Sequence, residues 1–158
     1  MREILFKAKR VDDGKWVEGY LGKFDNSDGT TDLTIIPSNE VCENGFSWYC
    51  IDENTICRFT GMTDKNRNKI WENDILRGHG NSDDLAKVVL GQFYIIDVET
   101  LEKVESVIGW HTEVIETDVI STIEPFCLPM PLTQFYIDRS EFEVIGNIFD
   151  NPELMEGE

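Results

Sequence analysis

Residues 55–76 read Thr55-Ile-Cys-Arg-Phe-Thr-Gly-Met-Thr-Asp-Lys-Asn-Arg-Asn-Lys-Ile-Trp-Glu-Asn-Asp-Ile-Leu76, and the order of residue types predicts strand, corner, turn and strand again. Thr55 to Phe59 alternates as a strand does. Gly61 supplies a backbone conformation that other residues resist. Asp64-Lys65-Asn66-Arg67-Asn68 is rich in side chains that bond their own backbone and tolerate positive φ, so a tight reversal is expected there. Ile70 and Trp71 resume the apolar pattern. Asn73-Asp74 then makes a second turn before the strand that begins at Ile75-Leu76.

Period-two alternation continues on both sides of this stretch. Arg2 to Lys9 places Ile4, Phe6 and Ala8 on one face and Glu3, Leu5 and Lys7 on the other, a half-buried strand. The turn Asp12-Asp13-Gly14-Lys15 returns it as Trp16 to Leu21, a hairpin. Asp25 to Thr31 is a polar loop, Leu33 to Pro37 a short strand, and Phe46 to Ile51 another candidate. Beyond Arg77 to Asp84, a flexible connection, Ala86 to Val98 is a long β-rich run with a bulge or bend expected at Gly91. Val104 to Trp110 is a strand, and Thr112 to Ile123 fits strand and amphipathic helix equally. Pro125, Pro129 and Pro131 exclude a helix or a central strand between them. Phe142 to Phe149 is a strand. Asn151-Pro152-Glu153 carries an N-cap, a proline at the first helical position and an early acid, which predicts a short terminal helix or turn, with the last four residues frayed.

Composition narrows the function classes. Hydrophobic residues make up 41% of the 158, and 17 are aromatic, so the chain has the material for a packed core. Net charge is −17, unevenly placed: residues 1–80 carry −3 (11 Lys/Arg against 14 Asp/Glu) and residues 81–158 carry −14 (3 against 17). A half of that charge repels phosphate, which argues against direct nucleic-acid binding and against an anionic membrane. No apolar run approaches the roughly 20 residues of a membrane span, and the polar start is unlike a signal peptide. A cytoplasmic protein is expected. Cys42, Cys50, Cys57 and Cys127 form no CxxC pair, and His79 and His111 complete no zinc spacing, so free, largely buried thiols are expected.

The central stretch resembles the signature of the YopX family of phage and prophage proteins. Thr60-Gly61-Met62-Thr63-Asp64-Lys65-Asn66 is similar to its threonine-glycine corner and Asp-Lys-Asn-Gly-Lys-type turn. Ile70-Trp71-Glu72-Asn73-Asp74-Ile75 is similar to its aromatic-Glu-Gly-Asp-Ile step. The opening Arg2 to Ala8 and the closing Phe142 to Leu154, with Gly146, Asn147 and Pro152, extend the likeness to both ends. Residues 78–135 match little. Two glycines of the pattern are Arg67 and Asn73 in this chain. Asn73 is expected to keep the left-handed geometry, and Asn66 or Asn68 is expected to take the strained position that Arg67 suits poorly. The resemblance implies a mainly β fold with an SH3-like barrel or roll element, additional strands and few short helices. It implies no activity, no cofactor and no metal. Thr60, Gly61, Asp64, Asn66, Trp71, Glu72, Asn73, Asp74, Gly146, Asn147 and Pro152 are its structural signature. One unit over residues 1–158 is expected, with a sub-boundary near 78–84 between a β part (1–77) and an acidic β part (85–158).

Each cluster with chemical appeal has a plainer reading. Asp64, Glu72 and Asp74 are hard carboxylates close in sequence, yet turns are routinely built with Asp. Asp25, Asn26, Asp28 and Asp32 around Gly29 lack the spacing of a calcium loop and its closing Glu. His111, beside Trp110 and Glu113, has no suitably spaced nucleophile in Ser106, Thr112 or a cysteine, and is expected at a surface or strand edge. Trp16, Tyr20, Phe46, Trp48, Tyr49, Phe59 and Trp71 read mainly as core, although an SH3-like groove presents such residues. Lys65, Arg67 and Lys69 are the basic cluster, expected as a solvated tip. Glu124 to Leu132 is apolar and kinked, a wrap over the core or an arm exchanged between subunits. The combined expectation is a non-enzymatic phage or prophage accessory protein that binds an unidentified protein partner in the bacterial cytoplasm. Its rivals are an acidic decoy imitating a polynucleotide, a carboxylate-metal hydrolase, and a homo-oligomer.

Overall fold

The computed structural model describes residues 3–38, 47–118 and 123–156, and within them eleven strands and one α-helix. The chain divides into two units, Met1–Gly61 and Met62–Glu158. The division falls inside a strand and not in the 78–84 loop where the charge changes. That loop closes a hairpin: Gly78 N–H donates to the Asp84 carbonyl at 2.9 Å and Asn81 N–H to that of Gly78 at 2.8 Å. A change in surface charge leaves backbone pairing untouched, so it does not mark a break in packing.

In the first unit β1 (Phe6–Lys9), β2 (Trp16–Asp25), β3 (Thr31–Pro37), β4 (Tyr49–Cys50) and β5 (Cys57–Thr63) pair in the order β4-β3-β2-β1-β5. The first hairpin forms as expected, with Lys9 opposite Trp16 and Gly14 at φ 70°. β2 and β3 run further than expected, to Asp25 opposite Thr31, so the polar loop shrinks to a turn. Ala8, Ile35 and Ile51 form the core, with Phe6, Val17, Leu33 and Ile56 against it. The first strand departs from its predicted faces: Leu5 is buried and Ile4 is exposed. Leu5 precedes the strand, where its carbonyl accepts from Phe59 N–H at 2.9 Å, so strict alternation does not reach it. Thr55 lies in a 3-10 turn (Glu53–Thr55) capped by Asp52, ahead of β5. Phe46 and Cys42 lie outside the described residues.

The second unit holds the last two residues of β5, then β6 (Lys69–Trp71), β7 (Asp74–Arg77), β8 (Leu85–Ile96), β9 (Lys103–Glu116), β10 (Met130–Pro131), α1 (Gln134–Arg139) and β11 (Glu143–Asn147). Its sheet is antiparallel in the order β10-β9-β8-β7-β11. Neither set of pairings closes into a barrel. The β8–β9 pair is the longest, and Gly91 faces Gly109 in regular register; the bulges fall instead at Leu85/Ala86 and Ile95/Ile96. The ambiguous stretch is strand as far as Glu116, and Val119 and Ile120 lie outside the described residues. Proline is tolerated at β10 because it pairs on one side only, as the sheet edge.

No assignment over 133–139 followed from the sequence, yet α1 forms there. Thr133 caps it by accepting from Tyr136 N–H, and Ile137 is its buried residue. Ile137 joins Ile70, Leu76, Val88, Leu132 and Phe142 in one core cluster. A helix of this length is marginal alone, so burial against the sheet supplies what periodicity does not.

Candidate functional site

The signature is a set of turns wired by side chains. Asp64 is buried, and its Oδ1 accepts from the backbone N–H groups of Asn66 and Asn68, each at 2.8 Å. Its Oδ2 accepts from Asn68 Nδ2 and from Val144 N–H, each at 3.1 Å. One carboxylate thus holds the turn and ties it to the start of β11. Lys65 N–H adds a bond to the Phe142 carbonyl at 3.0 Å. Arg67 itself takes the left-handed position, φ 67°, contrary to the expectation for Asn66 or Asn68. Asn66, Arg67 and Asn68 all direct their N–H groups at Asp64, the first and last at its carboxylate and Arg67 at its carbonyl at 2.9 Å, and the turn closes with Arg67 at its left-handed corner.

Asn73 keeps the expected geometry at φ 66°. Its N–H donates to the Val88 carbonyl at 2.9 Å, and its carbonyl accepts from Ile148 N–H at 3.1 Å. Asp74 is buried and accepts from Trp71 N–H at 2.8 Å, closing the turn that Glu72 and Asn73 make. Trp71 and Thr60 are buried, and Gly61 has φ 80°. Gly146 sits where β11 bulges, and a Cβ there would come 2.3 Å from Asn151 Oδ1. Asn147 Oδ1 accepts from the N–H groups of Phe149 and Asp150, both at 3.0 Å. Pro152 opens a 3-10 turn, Pro152–Met155. Asn151 does not cap that turn through its side chain; its Nδ2 donates to Glu153 Oε1 at 3.2 Å instead.

Lys65 and Arg67 are exposed, as expected of a solvated tip, and Lys69 is half-buried. Lys65 Nζ pairs with Glu143 Oε2 at 3.1 Å. Arg77 Nε donates to Glu143 Oε1 at 2.8 Å, and its Nη2 bonds the same oxygen. Lys69 lies 5.8 Å from the Trp71 ring. Arg77 first and Lys65 second hold the Glu143 carboxyl below its usual range, against the opposing effect of desolvation.

Asp64 and Asp74 therefore face separate sets of N–H donors and do not converge. Among the described residues no three His, Cys, Asp or Glu side chains are placed to hold a metal ion. The acids of the first-unit loop are likewise bonded locally: Asp28 Oδ1 accepts from the Thr30 N–H and hydroxyl, and Asp32 from Asn26. Those Thr30 bonds lower the Asp28 pKa.

His111 is buried, contrary to expectation. It lies between β8 and β10, stacks on Phe93 at 4.6 Å, and has Nδ1 3.2 Å from the Gly109 carbonyl. Its Nε2 lies 3.7 Å from Glu113 Oε1. Ser106 takes a bond from Gln92, and Thr112 donates to the Met130 carbonyl. His79 is exposed, at φ 49°. Cys50 is exposed, Cys57 buried and Cys127 intermediate, and all three are free thiols. The aromatics divide more than expected. Trp71 is core, whereas Tyr20 and Trp48 are exposed, and Trp48 stacks on exposed Phe24 at 5.0 Å.

Sequence reasoning missed the surface of the β8–β9 hairpin. Ile108 is 82% exposed, Val98 71% and Val104 67%. Ile108 shares a face with Tyr94, as the pairs Gln92↔Ile108 and Tyr94↔Ser106 place them. The alternation that revealed the strands gives no sign of which face lacks a cover. Two concave features belong to this unit. One, of about 670 Å³, is lined by His79, Met130, Phe135, Tyr136 and Arg139. The other, of about 230 Å³, lies beside the hairpin tip.

The class so defined is a mainly β protein whose signature polar residues hold its turns. A family model described as YopX protein matches residues 5–156, and the chain belongs to the YopX family. The comparison with curated proteins gives no match. Among solved structures, protein EF1440 from Enterococcus faecalis is similar over 99% of this chain and 100% of its own, at 17% identity and a TM-score of 0.45. No helix among the described residues is long and apolar enough to cross a membrane.

Three outcomes are expected of the wired turns. Asp64→Ala removes the acceptor of the Asn66, Asn68 and Val144 N–H groups and lowers unfolding free energy by roughly 1–3 kcal/mol, read from urea midpoints, with Asp64→Asn intermediate. Arg67→Gly relieves a left-handed side chain and raises stability by about 1 kcal/mol in the same titration. The Glu143 carboxyl has a folded pKa below the ordinary glutamate value, held there by Arg77 and Lys65. Its contribution is therefore present above that value and lost as pH falls through the folded one. Glu143→Gln is expected to be less stable at neutral pH and to lose less stability on acidification.

Proposed function

We propose that this protein is a non-enzymatic phage or prophage accessory protein that docks a protein partner in the bacterial cytoplasm through its acid-rich second half. The observation that supports the reading is the β8–β9 hairpin, with exposed Val98, Val104 and Ile108 in a region of net charge −14. Apolar side chains left in water beside carboxylates favour a partner that covers the first and neutralises the second. The signature residues support it indirectly, because Asp64, Asp74 and Asn147 already accept backbone N–H groups. An SH3-like roll, with aromatic side chains on a binding face, belongs to this proposal for the first unit, where Tyr20, Phe24 and Trp48 are exposed.

The charge favours a second reading, an acidic decoy occupying the basic cleft of a nucleic-acid-binding protein. Salt separates the two: a contact driven by charge alone collapses as ionic strength rises, whereas one with an apolar centre survives. A photo-crosslinking residue at position 108, in infected or lysogenic cells, is expected to trap one protein that the same residue at exposed Lys23 does not. Ile108→Glu, with the crosslinker moved to 104, is expected to reduce the yield. Equal trapping from 23 and 108, or none from 104 and 108, overturns the reading.

A further inference from the structure

The β8–β9 hairpin ends in a turn that is itself well held. Asp97 Oδ1 accepts from Glu99 N–H at 2.8 Å and Thr100 N–H at 3.1 Å, and Leu101 N–H donates to the Asp97 carbonyl at 2.8 Å. Those backbone donors lower the Asp97 pKa, so the turn keeps its negative charge. Beside it, Tyr94, Ile96, Val98, Pro125, Leu128 and Pro131 line an apolar slot of about 230 Å³. The kinked proline segment, hard to place from sequence, supplies part of that lining. Water is poorly held between such walls, since it needs polar partners that they do not offer.

The surroundings carry the opposite character. Asp97, Glu99, Glu102 and Glu105 are all exposed on the tip and its flanking strand, and Glu124 adjoins the proline wall. Lys103 is the one cation among residues 97–105, and its ammonium sits 4.2 Å from the Tyr94 ring centre. An apolar slot with an anionic rim selects its occupant by both features: one large apolar side chain for the walls, and cations beside it for the rim.

We propose that this slot takes a single tryptophan or phenylalanine side chain presented by a lysine- or arginine-rich segment of a partner protein. The proposal rests on the reading that the second half docks a protein, and names the part of the surface and the chemistry of the segment. A second copy of this chain suits the slot poorly, because two bodies of charge −17 repel.

The probe is a short acetylated lysine–glycine peptide with one central tryptophan, titrated into the intact isotope-labelled protein and followed by amide shifts. Saturable shifts at Tyr94, Val98 and Leu128 are expected. The same peptide with serine in place of tryptophan is expected to bind roughly tenfold more weakly or worse. Val98→Trp changes an exposed position and covers the slot with an indole; it is expected to abolish the preference for the tryptophan peptide while the weak, charge-driven binding remains. Glu99→Lys with Glu102→Lys is expected to weaken both peptides. Equal binding of the two peptides, or shifts centred away from the slot, overturns the proposal while leaving the broader reading to stand on the crosslinking at position 108. A dimer mass by light scattering that reverts to monomer in Val98→Trp also overturns it, because the slot is then filled by the chain itself.

Discussion

The Asp64 carboxylate accepts N–H groups from Asn66, Asn68 and Val144 at once, and the local order of the second unit depends on that convergence. A buried carboxylate is costly unless its lone pairs are occupied, and here backbone donors occupy them. The same bonds fix the five-residue turn and locate β11 against it, although Val144 lies 80 residues away. Lys65 and Arg77 then meet on Glu143, one residue before Val144. Turn, strand and ion pairs therefore share one junction. A change at Asp64 is felt by all of them.

At that junction and around it, the polar residues most suggestive of chemistry accept backbone N–H groups. Asp64 and Asp74 sit in successive turns, and each accepts from backbone N–H groups in its own turn. Asn147 does the same for Phe149 and Asp150 at the far end of β11. Outside this framework the β8–β9 hairpin carries Val98, Val104 and Ile108 in water among carboxylates.

The sequence was most legible where short-range chemistry decides. The Asn73 turn, the Gly14 hairpin and the edge position of Pro131 each follow from the allowed backbone of one residue type. It was least legible where burial on two sides decides. His111 reads as an edge residue until β10 pairs beside it and Phe93 stacks on it. Arg67 reads as unsuited to the left-handed corner until the N–H groups of residues 66, 67 and 68 are all seen turned toward Asp64. Helix α1 lacks the length for a periodic signal and exists because Ile137 completes a core built from strands distant in the chain.

By itself, then, the sequence determined a β-rich chain, its turn positions, its family likeness and the asymmetry of its charge, because these depend on alternation, on backbone preferences and on simple addition of charges. Only the tertiary structure decided which carboxylates are occupied by N–H groups, which aromatics are covered and which apolar residues stay in water. Those properties depend on what packs against a residue from elsewhere in the chain, and no local pattern encodes the far side of a contact.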